Sequence, residues 1–159
     1  MSSYRWNVRL IPLLTLLAFA GVGHAETLSG QVVGVHDGDT LTLLTATAQT
    51  VKVRLANIDA PESDQAYGQV AKLGLANAVL GRAITVDATQ RDFYGRVVGQ
   101  VSYQGRDINL EQVANGLAWV YRQFTDDPVY LQAEQAASQA KIGLWQDPAP
   151  VAPWLFRHH

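Results

Sequence analysis

The 159-residue chain contains no cysteine, so it can form no disulfide and offers neither a thiol nucleophile nor a thiolate metal ligand. It also has no internal repeat and no low-complexity tract. Its length is that of one domain. Because no disulfide can stabilise this domain, stability must come from core burial. The apolar residues, 48% of the chain and spread along it, permit such a core.

The chain has a single long apolar run, residues 10–23, which is short for a membrane span. Arg5 and Arg9 precede this run, and Gly23 and Ala25 place small residues at the −3 and −1 positions of a cleavage site. This order predicts a secretory signal peptide over residues 1–25, with an uncleaved N-terminal anchor as the alternative. We therefore expect a periplasmic or secreted protein with no membrane segment in its mature form.

Positive charge is scarce. The chain has 12 Lys+Arg against 14 Asp+Glu, and removal of residues 1–25 takes away Arg5 and Arg9 and no acidic residue. The mature chain would then carry 10 basic and 14 acidic residues, a net charge of −4. This is not the basic surface expected of a tight, non-specific nucleic-acid binder, so a nucleic-acid substrate must be argued from the site.

Five segments have strand character. Residues 28–44 predict two strands around the turn at 36–39, and residues 51–55 alternate strictly between apolar and polar. Residues 84–88 and 96–103 complete the set, joined by a polar loop.

Three segments have helical character: 65–80, 109–115 and 127–142. In the first, Val70, Leu73 and Leu80 form the apolar stripe, filled in by Ala76. Asn109 is the expected cap of the second helix, and Asp127 caps the third.

This order of elements predicts a β-barrel plus helices (α+β), a small antiparallel five-stranded oligonucleotide-binding barrel with three helices. The predicted barrel domain spans 26–146. The Pro-rich tail, 147–159, is expected to be irregular and to lie against the body through Trp145 and Trp154.

Four acidic residues stand at turns and strand ends, namely Asp37, Asp39, Asp59 and Glu62. Arg54 and Arg96 lie at loop junctions as well, where functional sites are usually built. Hydrolysis of a phosphodiester needs an activated water and positive charge around the transition state. Carboxylate and carbonyl oxygens on irregular loops suit Ca²⁺, and arginine can grip two phosphate oxygens at once.

A charge count favours a metal in this site. Asp39, Asp59 and Glu62 contribute −3, and Arg54 and Arg96 contribute +2, so the group carries −1 and would repel a phosphodiester. One Ca²⁺ changes the sum to +1.

Each feature also has an ordinary explanation. The Asp-Gly-Asp of residues 37–39 is, by itself, more often a turn than a ligand loop. Arg96 could simply pair with Asp92, and Tyr94 could be surface packing.

Several short motifs occur together in this order. They are VHDGDT (35–40), RLANIDAPE (54–62), DFYGR (92–96), NLE (109–111), GLA (116–118) and GLW (143–145). Each motif alone is weak, but the ordered set, which covers about residues 28–154, resembles the staphylococcal-nuclease (thermonuclease) family.

The resemblance implies a role for each matching residue. Asp39 and Asp59 would bind Ca²⁺ through their side chains, and the carbonyl of Ala60 would be a further ligand. Glu62 would hold or deprotonate the attacking water. Arg54 and Arg96 would bind the scissile phosphate, and Arg96 could help the leaving 5′ oxygen.

The resemblance also implies an activity, the hydrolysis of DNA and RNA with little sequence preference to 3′-phosphate ends, by an enzyme expected to be a monomer. Two departures suggest weaker substrate binding. Phe93 stands where the family often has a basic residue, although Tyr94 remains for stacking or hydroxyl contact. The aromatic residues expected after Gly116 are shifted, and none of Trp119, Tyr121 and Phe124 can be assigned to a base.

Two other functions remain open. A catalytically inactive barrel that binds nucleic acid or protein should have lost one of Asp39, Asp59, Glu62, Arg54 or Arg96, and all five are present. A barrel that binds a small anion through the arginines would leave the acidic cluster unexplained.

Overall fold

The computed structural model describes residues 26–158. The predicted signal peptide, 1–25, lies outside the described residues. The strands are β1 (Glu26–Val35), β2 (Thr40–Thr45), β3 (Thr50–Leu55), β4 (Ile58–Asp59), β5 (Ala83–Arg91), β6 (Val97–Tyr103), β7 (Arg106–Asp107) and β8 (Trp119–Val120). The helices are α1 (Gly68–Val79), α2 (Ile108–Ala114), α3 (Pro128–Gln139) and α4 (Pro153–Phe156), with a 3-10 helix at Gly143–Gln146. Among residues 26–158, no helix is long and apolar enough to cross a membrane.

Five strands form a closed barrel, as predicted. Their order is β3-β2-β1-β5-β6, and β6 pairs again with β3. The closing pair is parallel, with Val53 opposite Val97 and Arg54 opposite Val98, so the barrel is mixed and not antiparallel throughout. Sequence alternation within a strand does not reveal the direction of its partner, which explains this error.

The barrel interior contains the residues that alternation selects. Val53 and Leu55 of β3 are buried, whereas Lys52 before them is exposed and Arg54 between them is partly exposed. Leu41 and Leu43 of β2 are fully buried in the same core. Each buried Leu or Val contributes about 1.5–3 kcal/mol through removal of its apolar surface from water.

The apolar stripe predicted for α1 is wrong. Val70, Leu73 and Leu80 are 50%, 60% and 50% exposed. The buried face of the helix is formed instead by the smaller residues Gly68 and Ala71, together with Leu75 and Val79. At Gly68 there is no room for a side chain, since a Cβ there would lie 1.8 Å from the carbonyl oxygen of Glu62.

Helix α2 is capped by Asp107, whose carboxylate accepts from Leu110 N, and not by Asn109 as predicted. Asn109 is fully buried, accepts from Val101 N and donates to the carbonyls of Ala56 and Gly99. It therefore joins the helix to the barrel. For α3 the predicted cap is confirmed, because Asp127 accepts from Val129 N.

The C-terminal tail, 147–159, is not entirely irregular, because it contains α4. Trp145 and Trp154 hold it against the body, as predicted. Their rings lie 4.4 Å and 5.8 Å from the ring of Trp119, centroid to centroid.

Candidate active site

A cavity of about 790 Å³ opens where several strand ends and loops meet. All seven residues predicted for the site line this single cavity: Asp39, Arg54, Asp59, Ala60, Glu62, Tyr94 and Arg96. They come from three separate stretches of chain, so the barrel brings together side chains that the sequence could only group by motif.

The turn before β2 places Asp39. The Asp37 carboxylate accepts from Asp39 N at 2.9 Å, and Gln112 of α2 donates to the carbonyl of Gly38 at 2.7 Å. A Cβ on Gly38 would lie 2.6 Å from the Cβ atoms of both Ala60 and Ala71, so this position requires glycine. The turn is therefore fixed from both sides.

The Asp39 carboxylate is 5% exposed and accepts from Ala60 N at 2.7 Å. Burial raises the pKa of this carboxyl to about 7, and the nearby Arg54 guanidinium lowers it only in part. A buried carboxylate with too little positive charge around it fits a site for a cation.

Asp59 is the second buried carboxylate, and it is 1% exposed. Its strand β4 pairs with β8, with Asp59 opposite Trp119. Arg54 connects the two acids, because its Nη1 lies 3.1 Å from Asp39 Oδ2 and its Nη2 lies 3.0 Å from Asp59 Oδ1.

Arg54 also donates from Nη1 to the carbonyls of Leu55 and Ile58, both at 2.9 Å. Much of its guanidinium is thus engaged with the protein, and its side chain is 14% exposed. It can still donate to a ligand from Nε and from part of Nη2.

Arg96 does pair with Asp92, with Nε 2.6 Å from Oδ2. Although burial opposes it, the hydrogen bond from the Arg96 side chain lowers the pKa of Asp92. Asp92 also accepts from the backbone amides of Tyr94 and Arg96, which holds the loop. Pairing does not remove Arg96 from the cavity, since the pair orients the guanidinium there.

The loop between β5 and β6 presents two aromatic rings to solvent. Phe93 is 98% exposed and Tyr94 is 82% exposed, and both line the cavity. The Arg96 guanidinium carbon lies 5.5 Å from the centre of the Tyr94 ring. Of the three aromatic residues that could not be assigned, Tyr121 and Phe124 lie in the cavity wall, whereas Trp119 lines a separate pocket.

Sequence reasoning missed Arg157. Its Nη1 donates to Glu62 Oε1 at 2.6 Å and its Nη2 donates to Asp59 Oδ2 at 2.8 Å. The hydrogen bond to Asp59 raises the pKa of Arg157, against the opposing effect of burial. No sequence motif marks Arg157, which follows the anchoring Trp154 by three residues.

The oxygen ligands at this site are of the type that a hard cation prefers, but they do not already surround a metal position. Among residues 26–158, no group of three or more His, Cys, Asp or Glu side chains converges as a metal cluster. Two buried carboxylates and the backbone around Ala60 are the available oxygen donors, which is the ligand type that Ca²⁺ prefers.

The charge count changes with the full lining of the cavity. Five acidic residues line it, Asp37, Asp39, Asp59, Glu62 and Asp92, against Arg54, Arg96 and Arg157. The sum is −2 and not the −1 counted from the motifs. A divalent cation would bring this charge to zero. The cavity without a cation would therefore repel a phosphodiester more strongly than the motif residues alone indicated.

Comparison with known proteins identifies relatives. The family model described as staphylococcal nuclease homologue matches residues 52–147. An uncharacterized endonuclease of Haemophilus influenzae is 41% identical over 95% of this chain and 85% of its own length. An uncharacterized endonuclease of Escherichia coli is 42% identical over 94% of this chain and 97% of its own length. A micrococcal nuclease of Shigella flexneri is 40% identical over 80% of this chain and 79% of its own length.

Proposed function

Because the chain belongs to the staphylococcal nuclease homologue family, we propose that this nuclease is a calcium-dependent endonuclease that acts on DNA and RNA. It would cut with little sequence preference and leave 3′-phosphate ends. The single observation that supports this most is the gathering of the acids and arginines around one cavity. The inactive-barrel alternative has no support, because none of the five residues that it would have lost is missing.

Asp39, Asp59 and the carbonyl of Ala60 would hold the calcium ion. When bound there, the ion supplies a Lewis acid that neutralises charge on the phosphate. Burial of both carboxylates makes such an interaction stronger than it would be in water.

Glu62 is the proposed acceptor of the proton from the attacking water. Its side chain is 35% exposed at the cavity, so it can contact water. The water oxygen would form a bond to phosphorus as the bond to the 5′ oxygen breaks, and the leaving 5′ oxygen would take up a proton to become a hydroxyl. This direction of cleavage leaves the phosphate on the 3′ side.

Arg54 and Arg96 would donate to the phosphate oxygens, where charge accumulates in the transition state. The pair with Asp92 fixes Arg96 through Nε and so directs its Nη groups. Tyr94 is a candidate contact for the substrate, because its exposed ring lies beside Arg96 at the same cavity.

Export to the periplasm or the medium is part of the proposal, with residues 1–25 as the signal. We also propose that the mature enzyme is a monomer. Cell fractionation with N-terminal sequencing tests the first statement. Recovery of a full-length N-terminus in the membrane fraction would contradict it.

Cleavage of single-stranded DNA and of RNA by the purified protein tests the activity, with Ca²⁺, with Mg²⁺ and with chelator. We expect cutting only with Ca²⁺ and products that a 3′-phosphatase can trim. Asp59→Asn is the negative control, and Asp64→Asn in the exposed loop nearby is its matched control. Full activity in chelator, or 5′-phosphate products, would overturn the proposal.

A further inference from the structure

Arg157 bridges two acids that are separated from it by 98 and 95 residues of chain. Its two Nη groups reach three carboxylate oxygens. Nη1 lies 3.2 Å from Asp59 Oδ1 and 2.6 Å from Glu62 Oε1, and Nη2 lies 2.8 Å from Asp59 Oδ2. Both oxygens of Asp59 thus have a guanidinium donor from Arg157.

The position of Arg157 is set by a packed anchor. Helix α4 precedes it directly, and Trp154 of that helix stacks on Tyr121, with ring centres 5.4 Å apart and planes 1° from parallel. Ala152 and Pro153 are buried, and Gln65 donates to the carbonyl of Val151 at 2.6 Å. None of these contacts uses the guanidinium, so the side chain can move while the anchor stays.

The two Asp59 oxygens that Arg157 contacts are also the oxygens that the proposed metal would need. Calcium binds carboxylate oxygens at about 2.3–2.6 Å, closer than the 3.2 and 2.8 Å at which the Arg157 nitrogens lie from the Asp59 oxygens. A divalent ion on Asp59 would stand a few ångströms from the Arg157 charge, and like charges at that distance repel. The two cations therefore compete for the same acid.

We propose that Arg157 is a positioning residue of the nuclease site, a tethered cation that holds Asp59 and Glu62 together until a divalent metal replaces it. Metal binding is then an exchange between two cations and not a simple addition. This inference rests on the proposed function, because it takes Asp59 as a metal ligand. It extends the site beyond residues 52–147, where the family model matches.

The exchange predicts an unusual result, because removing a charged residue from the site should tighten metal binding. We expect the Arg157→Gln protein to bind Ca²⁺ about three- to tenfold more tightly than the parent protein in calorimetry, since two partly exposed ion pairs no longer oppose the metal. A residue with a merely structural role would weaken binding when it is removed.

Arg106→Gln is the matched control. Arg106 also pairs with a carboxylate, that of Glu111, and its side chain is 47% exposed against 41% for Arg157. It does not line the cavity. The control should leave Ca²⁺ affinity unchanged. Equal or weaker affinity in Arg157→Gln than in the parent would overturn the exchange.

A second measurement does not depend on metal. In chelator, Arg157→Gln and Glu62→Gln should lower stability non-additively, because each removes the same ion pair. Additive effects would overturn the positioning role. If the parent and both variants bind no Ca²⁺, the calcium dependence of the proposed function and the exchange both fail. The coupling in chelator then decides separately whether Arg157 holds Glu62.

Discussion

Replacement of Arg96 by lysine tests the phosphate contact most directly, because it keeps the charge and removes only the planar fork. In the structure, Nε of Arg96 donates to Asp92 at 2.6 Å, and the side chain is 28% exposed at the cavity. The single ammonium group of lysine cannot both pair with Asp92 and donate to two phosphate oxygens. At least one charge-assisted hydrogen bond to phosphate is therefore lost. Such a bond is worth about 1.5–3 kcal/mol. This predicts a fall in kcat/KM of roughly 10- to 150-fold.

The assay is initial-rate cleavage of a fluorescent single-stranded DNA at saturating Ca²⁺. Arg91→Lys is the control, because Arg91 lies in the same region, donates to the carbonyl of Gly95 at 3.1 Å and does not line the cavity. It should change kcat/KM by less than about twofold. Both variants must unfold at the same temperature as the parent protein, so that a loss of rate is not a loss of folded protein. A value for Arg96→Lys within about threefold of the parent would refute the phosphate contact.

Three further changes test other parts of the site and fold. Glu62→Gln should lower kcat by about 100-fold or more, the usual contribution of a general base, with a much smaller change in Ca²⁺ affinity. If Ca²⁺ affinity and kcat fall equally, Glu62 acts chiefly in metal binding. Phe93→Arg should tighten DNA binding and steepen its salt dependence, because this exposed side chain lies at the cavity; an unchanged slope would place position 93 away from the substrate. Leu75→Ala should cost about 2–5 kcal/mol of stability in denaturant, whereas Leu73→Ala, at a 60% exposed position, should cost less than about 0.5 kcal/mol.

The barrel could be predicted from the sequence because its strands have one buried and one exposed face. Alternation at Val51, Val53 and Leu55 fixed which residues of β3 face the core. The parallel closure by β6 could not be predicted in the same way. It depends on a pairing between segments about 44 residues apart, and no local pattern encodes it.

The helix errors have a common physical cause. On α1, Gly68 lies against the loop at Glu62 and Ala71 lies against the turn at Gly38, whereas the larger Val70 and Leu73 are exposed. The cap of α2 was misplaced because Asp107 and Asn109 are both good cap residues. Only the tertiary structure shows that Asn109 is needed inside, as a partner for barrel backbone groups.

The candidate site was predictable where its residues fall in motifs. Asp39, Asp59 and Arg96 each belong to a short run with recognisable neighbours, and all three reach the same cavity. Arg157 has no such run. It reaches Asp59 only because aromatic packing brings the tail back across the barrel mouth, a contact that no local sequence pattern predicts.

The parallel pairing of β3 with β6 also determines when the enzyme can work as it folds. Arg54 lies on β3 and Arg96 directly precedes β6, so the distance between the two guanidiniums depends on this long-range pairing. Chain segments that far apart meet late, after local turns and hairpins have formed. Recovery of catalytic rate after dilution from denaturant therefore times the closure of the barrel, and a refolding intermediate with an open seam would have native-like hairpins but no activity.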